Sequence, residues 1–290
     1  MATKRTIEKS QPKLIPWIGN LSQAPWWAII ILLLGVLIVY FIVTAPAYQD
    51  AFLFLIAGLE LTVSVTIISF SLALILGLIA GLGRVSKNVV FYTIATLYVE
   101  VIRGIPMLIL IIYFAYVVTP LILTLLHWVG DTTLQSVTSG FLAQWAASLA
   151  DINIQDVDLK IRAIVGLAFG YGAYEAEVFR AGIESITRGQ MEAARSLGMS
   201  YFKAMRYVIL PQAVRRVLPP LGNDFISMLK DSSLISILAV RDLTHLGKLN
   251  RARTFRTFET WNTVAFLYLC MTLLLSIGVR TLERRMSSDK

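Results

Sequence analysis

Residues 187–211, TRGQMEAARSLGMSYFKAMRYVILP, decide how this chain is read. They form a long polar interval in a second half otherwise built of apolar runs, so they stand in water while their neighbours do not. Thr187 followed three residues later by Gln190 has the spacing of a capping box, and Gly198 sits where a helix end wants a residue able to turn left-handed. Ser200 then caps a second helix, which Pro211 limits. At helical spacing Met191, Ala194 and Leu197 share a face of the first helix, and Tyr201, Met205, Val208 and Ile209 a face of the second. Glu192, Arg195, Lys203 and Arg206 point elsewhere. The expectation is a compact two-helix knob with an apolar side that two short helices do not bury alone. Either the rest of the chain covers it or a separate soluble partner does.

Composition sets the class. Hydrophobic residues make up 57% of the 290 residues and charged residues 15%. The mean hydropathy is +0.71. Soluble domains carry about 25% charge, so this is read as an all-α integral membrane protein. The single cysteine, Cys270, lies in an apolar run and excludes a disulfide framework or a cysteine metal cluster. His127 and His245 are isolated, so no metal site is expected. The net charge of +8 comes from basic residues that flank apolar spans, which points to membrane orientation and not to nucleic acid.

About six transmembrane helices follow from the apolar runs. Trp26 to Thr44 is nineteen residues without a charge, preceded by a polar tail, residues 1–25, with Lys4, Arg5, Lys9 and Lys13. Ala45, Pro46 and Ala47 imitate a signal cleavage site, but the apolar run exceeds the core of about 7 to 15 residues that a signal peptide has. Further spans run from Gly58 to Gly83, Phe91 to Val118, Ile161 to Ile183, Arg215 to Leu238 and Trp261 to Val279. Gly77 with Gly81, and Gly166 with Gly170, are four apart, a spacing that admits a neighbouring helix. Residues 119–160 hold Asp131, Asp151, Asp156 and Asp158 but just one lysine, as an outer loop should. They read as an insertion that either meets a substrate-delivery protein or serves as a spacer. With both termini cytoplasmic, seventeen lysines and arginines lie inside and six outside, the basic segment 241–256 being the one outer piece that strains the rule.

The run Glu192, Ala193, Ala194, Gly198, then Val208, Ile209, Leu210 and Pro211 resembles the EAA loop of the membrane subunits of bacterial importers driven by ATP-binding cassettes. Supporting pieces are GLELT from Gly58, VIRGIP from Val101, YEAEVFRAGI from Tyr174 and LKDSSL from Leu229. Together they are most similar to the permeases for polar amino acids, over roughly residues 58–279. Ile105 stands where threonine is common, and Glu175 where many relatives carry an uncharged residue. The resemblance implies a type I importer permease fold in residues 58–282, an extra N-terminal span at 26–44, and a cytoplasmic coupling loop at 184–215. It implies location in the bacterial inner membrane, a dimer with a second copy or homologue, ATP-binding cassette subunits that hold ATP and Mg, and an extracytoplasmic binding protein. Glu192, Ala193, Ala194, Gly198, Leu210 and Pro211 would make the ATPase contact.

No stretch matches the phosphate-binding G-x-x-x-x-G-K-[S/T], since Lys248 after Gly247 is followed by leucine, so the motor is expected on another protein and no cofactor on this one. A free amino acid presents a carboxylate and an ammonium. Glu175, Lys230, Asp231, Ser232 and Ser233 are the residues in spans expected to answer them, the last four on a span polar enough to be a broken helix. Lys230 pairing with Asp231, and Glu175 with Arg162 or Arg180, is the purely structural alternative. An ion-coupled secondary transporter using Glu100, Glu175 and Asp224 would leave the knob unexplained and shows no inverted repeat. A non-transporting scaffold would have no reason to keep Asp224, Lys230 and Asp231 in one span, where each charge costs about 2.5 to 3.5 kcal/mol.

Overall fold

The computed structural model describes residues 26–137 and 139–287. The tail, residues 1–25, lies outside the described residues.

Trp26–Thr44 folds as an apolar helix, α1, in which no residue is buried by the rest of the chain. Pro46 at the first turn starts α2, Pro46–Leu55, whose Ala51 and Leu55 pack with Leu243, Leu246, Val264 and Leu267. The long helix α3, Ala57–Arg84, buries a row of small residues at helical spacing: Gly58, Thr62, Ser69, Ala73, Gly77 and Gly81. From Ala73 onward that row meets α8, Leu159–Glu184, the central helix, which buries Gly166, Gly170, Gly172, Ala173 and Ala176. Contact between α3 and α8 is so close that a Cβ on Gly77 would lie 2.4 Å from that of Glu175, and one on Gly81 2.9 Å from the Ala176 carbonyl. Small-residue seams of this kind let helix backbones approach where lipid gives no hydrophobic push between them.

Between α3 and α8 run α4, Val89–Arg103, capped by the Asn88 side chain, and α5, Met107–Tyr113. The expected single span from Phe91 to Val118 is therefore broken at Gly104 to Pro106, where proline supplies no N–H. A π-helical turn, Phe114–Val118, carries α5 directly into α6, Thr119–Ser136. The shorter α7, Phe141–Ala150, folds back on α6. The interval 119–160 is thus mostly a helical hairpin, and its first arm continues the preceding span.

Beyond α8 come α9, Arg188–Ser196, α10, Tyr201–Ala204, a second π-helical turn, Met205–Ile209, and α11, Leu210–Asp231. Pro211 does not end a helix: the chain stays helical from Tyr201 to Asp231. Both π turns end two residues before a proline, Pro120 and Pro211. A proline ring collides with the carbonyl four residues back in an α-helix, and a wider turn moves that carbonyl aside. Helix α11 passes into a 3-10 segment, Ser232–Leu238, followed by α12, Leu243–Thr254, capped by Asp242, and α13, Thr257–Ser287.

Among the described residues, four stretches are long and apolar enough to cross a membrane: Trp26–Thr44, Pro46–Arg84, Met107–Ser136 and Thr257–Arg284. Helices α8 and α11 are long enough but more polar, and α8 buries half of its residues against the rest of the chain. The start of α3 lies against α12, where Leu243 donates its N–H to Thr62, while its end, Arg84, reaches Glu177 near the end of α8. One face of the bundle therefore carries α9 and α10, and the opposite face α12 and the α6–α7 hairpin.

Candidate functional site

The knob forms as two helical pieces joined by a left-handed residue. Gly198 has φ +82°, and the backbone N–H groups of Gly198 and Met199 close on the Arg195 and Ala194 carbonyls, ending α9. A Cβ on Gly198 would meet nothing within 4 Å, so the demand for glycine is one of backbone conformation alone. Ser200 caps α10 by accepting from the Lys203 N–H. The expected capping box does not form: the Thr187 side chain makes no cap bond, and Gln190 faces Gln212 at 3.4 Å. That contact, with the bond from Arg216 to the Ser185 carbonyl, ties the knob to the start of α11.

Its apolar side differs from the one that spacing alone suggested. Of the described residues in the two pieces, Ala194, Ala204 and Ile209 are buried. Leu197 is 83% exposed, Phe202 72%, and Tyr201 and Tyr207 stand beside them in the open. Glu192, Ala193, Leu210 and Pro211 are exposed as well, and Glu192 forms no ion pair with Arg195. The knob thus offers aromatic and aliphatic surface that its own chain leaves uncovered.

Behind it sits a charge cluster that spacing did not reveal. Arg84 at the end of α3 binds Glu100 on α4 and Glu177 on α8, and Glu177 also binds Arg180, which in turn binds Glu184. Three helices are therefore fastened at the root of the knob. Glu177 and Arg180 lie three apart, which signals a pair, but the partnership with Arg84 crosses 93 positions of sequence and no local pattern announces it.

The five residues expected at the substrate site differ in exposure and in partners. Glu175 is fully buried on α8 against Gly77, and neither carboxylate oxygen has a hydrogen-bond partner among the described residues. Its expected structural partners are engaged elsewhere: Arg180 with Glu177 and Glu184, and Arg162 with the carbonyls of Ala115, Ile154 and Val157. Lys230 is exposed, while Asp231 accepts from the Tyr171 hydroxyl at 2.8 Å and forms no ion pair with Lys230. Ser232 is buried and donates to the Leu229 carbonyl of its own helix, and Ser233 is half-buried. What the helix does present is a polar face of Asn223, Ser227, Lys230 and Asp231, at spacings that put all four on one side of α11.

A helical membrane bundle whose central helix leads into a water-facing knob, and whose neighbouring helix carries a polar face, is a transport subunit. The chain belongs to the family described as "Binding-protein-dependent transport system inner membrane component", whose model matches residues 73–288. It is 35% identical over 232 residues to the glutamine transport system permease protein GlnP of Escherichia coli strain K12, covering 80% of this chain and 92% of that protein. To the probable glutamine ABC transporter permease protein GlnM of Bacillus subtilis it is 33% identical, covering 83% of this chain and 96% of that one. A crystal structure of an amino acid ABC transporter with histidines matches with a TM-score of 0.63 at 34% identity, over 82% of this chain and 95% of that one. The chain is accordingly a multi-pass inner-membrane permease of an ABC importer, a kind of subunit that works with ATPase and substrate-binding partners.

Proposed function

We propose that this permease, paired with a second copy or a homologue, forms the path by which polar amino acids enter the cell, and that it is not itself a catalyst. The relatives named above for glutamine and for amino acid transport support that substrate class. ATP and Mg are held by separate cassette subunits that dock on α9 and α10, and an extracytoplasmic binding protein delivers the substrate. Both termini then face the cytoplasm, with the knob, and α12 and the hairpin face outward. The observation that carries this reading is the uncovered surface of Leu197, Tyr201, Phe202 and Tyr207 beside Glu192 and Gly198. Short helices with that much bare apolar surface call for a partner in the aqueous phase. Within the path, Asn223, Lys230, Asp231 and Ser233 meet the substrate's charged groups, and Ser232 and Glu175 lie behind them.

Proteoliposomes holding the permease, its cassette subunit and its binding protein test the proposal. Internal ATP should drive uptake of labelled glutamine or arginine, and replacing Phe202 and Tyr207 by serine should abolish it together with ATPase binding. Uptake that follows an ion gradient without ATP would overturn it. Cysteines at Ser10 and Ser139 should label from opposite sides of the membrane.

A further inference from the structure

Arg103 ends α4 and carries its charge at a depth where a charge needs an answer. Its guanidinium carbon lies over the Tyr174 ring of α8, 5.5 Å from the centre. Along α8, Tyr174 is about 15 Å from Glu184 and about 22 Å from Leu159 at the helical rise. A helix of 26 residues overhangs a hydrocarbon layer of about 30 Å by only a few Å at each end, so that level lies inside it. Arg103 is nevertheless exposed, and among the described residues it has no ion pair and no hydrogen bond from its side chain. The acids around it are taken. Glu100, one turn earlier, is bound by Arg84, and Glu177, within electrostatic reach, is held by Arg84 and Arg180.

A second observation falls at the same level. The helix breaks directly after Arg103: Gly104, Ile105 and Pro106 separate α4 from α5, and Gly104 and Pro106 are exposed. Non-helical backbone inside a membrane is tolerated where protein buries it or where it lines a water-filled cavity, and this segment is not buried. An unpaired arginine obeys the same rule, and its guanidinium is drawn to the central helix and not out to lipid. The polar surface then continues across α8. The rings of Tyr174 and Tyr171 lie 6.1 Å apart, and the Tyr171 hydroxyl donates to Asp231 of α11 at 2.8 Å. A cation on α4 and a carboxylate on α11 therefore flank two tyrosine rings, and a free amino acid carries the complementary pair of charges. An arginine fork takes a carboxylate through two parallel N–H bonds, and a guanidinium held over an aromatic face keeps that edge free.

We propose that Arg103 binds the α-carboxylate of the amino acid in transit, with the Tyr174 ring holding the guanidinium in place. This rests on the reading of the chain as an amino acid importer, and it names the group that recognises the part all such substrates share.

The test uses the complex of permease and cassette subunit in lipid nanodiscs, without nucleotide or binding protein, so that an amino acid meets the permease directly. Equilibrium binding of glutamine is compared with that of glutaminamide, in which an uncharged amide replaces the α-carboxylate. The wild-type complex should bind glutamine about tenfold or more tightly than the amide, the worth of a hydrogen-bonded charge pair. Arg103→Gln should lose about that factor for glutamine and nothing for the amide, with Arg103→Lys in between. Equal weakening of both ligands would mark Arg103 as structural and overturn the proposal. A preference for glutamine that survives in Arg103→Gln, or that the wild type lacks, overturns it too. If Arg103→Gln does not assemble, Arg103→Lys carries the comparison, and an undiminished preference there is equally fatal. ATP-driven uptake of glutamine into proteoliposomes with the binding protein is measured in parallel. Its absence from the wild type would overturn the reading as an amino acid importer, whereas normal uptake by Arg103→Gln overturns the role of Arg103 alone.

Discussion

Arg84 at the end of α3 donates to Glu177 of α8 across 2.8 Å, joining two helices 93 positions apart in sequence at the root of the knob. Both side chains are mostly sheltered, 13% and 28% exposed, so solvent weakens the bond little. A hydrogen bond between charged groups contributes about 1.5 to 3 kcal/mol. Arg84→Gln, Glu177→Gln and the double variant should therefore show a coupling of that size in thermal or denaturant unfolding of the purified permease. Additive effects would mean the contact holds nothing.

Gly198 is needed for its φ of +82° and not for space, since a side chain there would meet nothing. A side chain in this conformation costs about 1 to 2 kcal/mol, and Asn bears it better than Ala or Val. Gly198→Asn should retain most stimulation of the cassette ATPase by substrate, Gly198→Ala less, and Gly198→Val least, with the permease inserted in every case. An order that follows side-chain volume instead of left-handed preference would contradict the backbone account.

These two cases mark what could be read in the sequence. The glycine turn, the serine cap and the small-residue seams at Gly77, Gly81, Gly166 and Gly170 rest on local spacing, and the structure has them where spacing put them. Helix content and the approximate spans rest on apolar runs, which are local as well. Contacts between distant helices were out of reach: Arg84 with Glu177, Tyr171 with Asp231, and Asp242, buried as the cap of α12 beside Thr244 and Tyr268. The continuation of a helix through Pro120 and Pro211 was missed because proline is a stop signal in an α-helix but not after a π turn. That the interval 119–160, read from its charge as an outer insertion, is mostly a helical hairpin continuing the preceding span was not legible, because the pairing of its two arms is a tertiary contact.

Tyr171→Phe removes one oxygen and the donor to Asp231, leaving the aromatic packing against Ala73 and Met228 in place. Asp231 then loses a bond of about 1.5 to 3 kcal/mol, and its carboxylate is free to turn towards Lys230. Uptake should fall about tenfold or more, the equivalent of about 1.4 kcal/mol per factor of ten, while binding of the cassette subunit is unchanged. Equal loss of both would assign Tyr171 to the fold of α8 and not to the path.

Glu175 decides between a ligand and a buried acid. Its Cβ touches the space where Gly77 has none, the residue is 0% exposed, and neither oxygen has a partner among the described residues. A polar group buried in that way costs about 1 to 3 kcal/mol, and an apolar residue of the same shape removes the cost. Glu175→Met, which keeps the unbranched stem against Gly77, should raise the unfolding temperature of the purified permease, whereas Gly77→Ala should lower stability by about 1 to 3 kcal/mol through overpacking. If the carboxyl only lies behind the path, Glu175→Gln should transport arginine, glutamine and glutamate in the wild-type order when uptake is normalised to permease level. A reordering in which arginine loses most would bring the carboxyl into contact with a cationic side chain of the substrate, and would require α3 and α8 to part at Gly77 during transport.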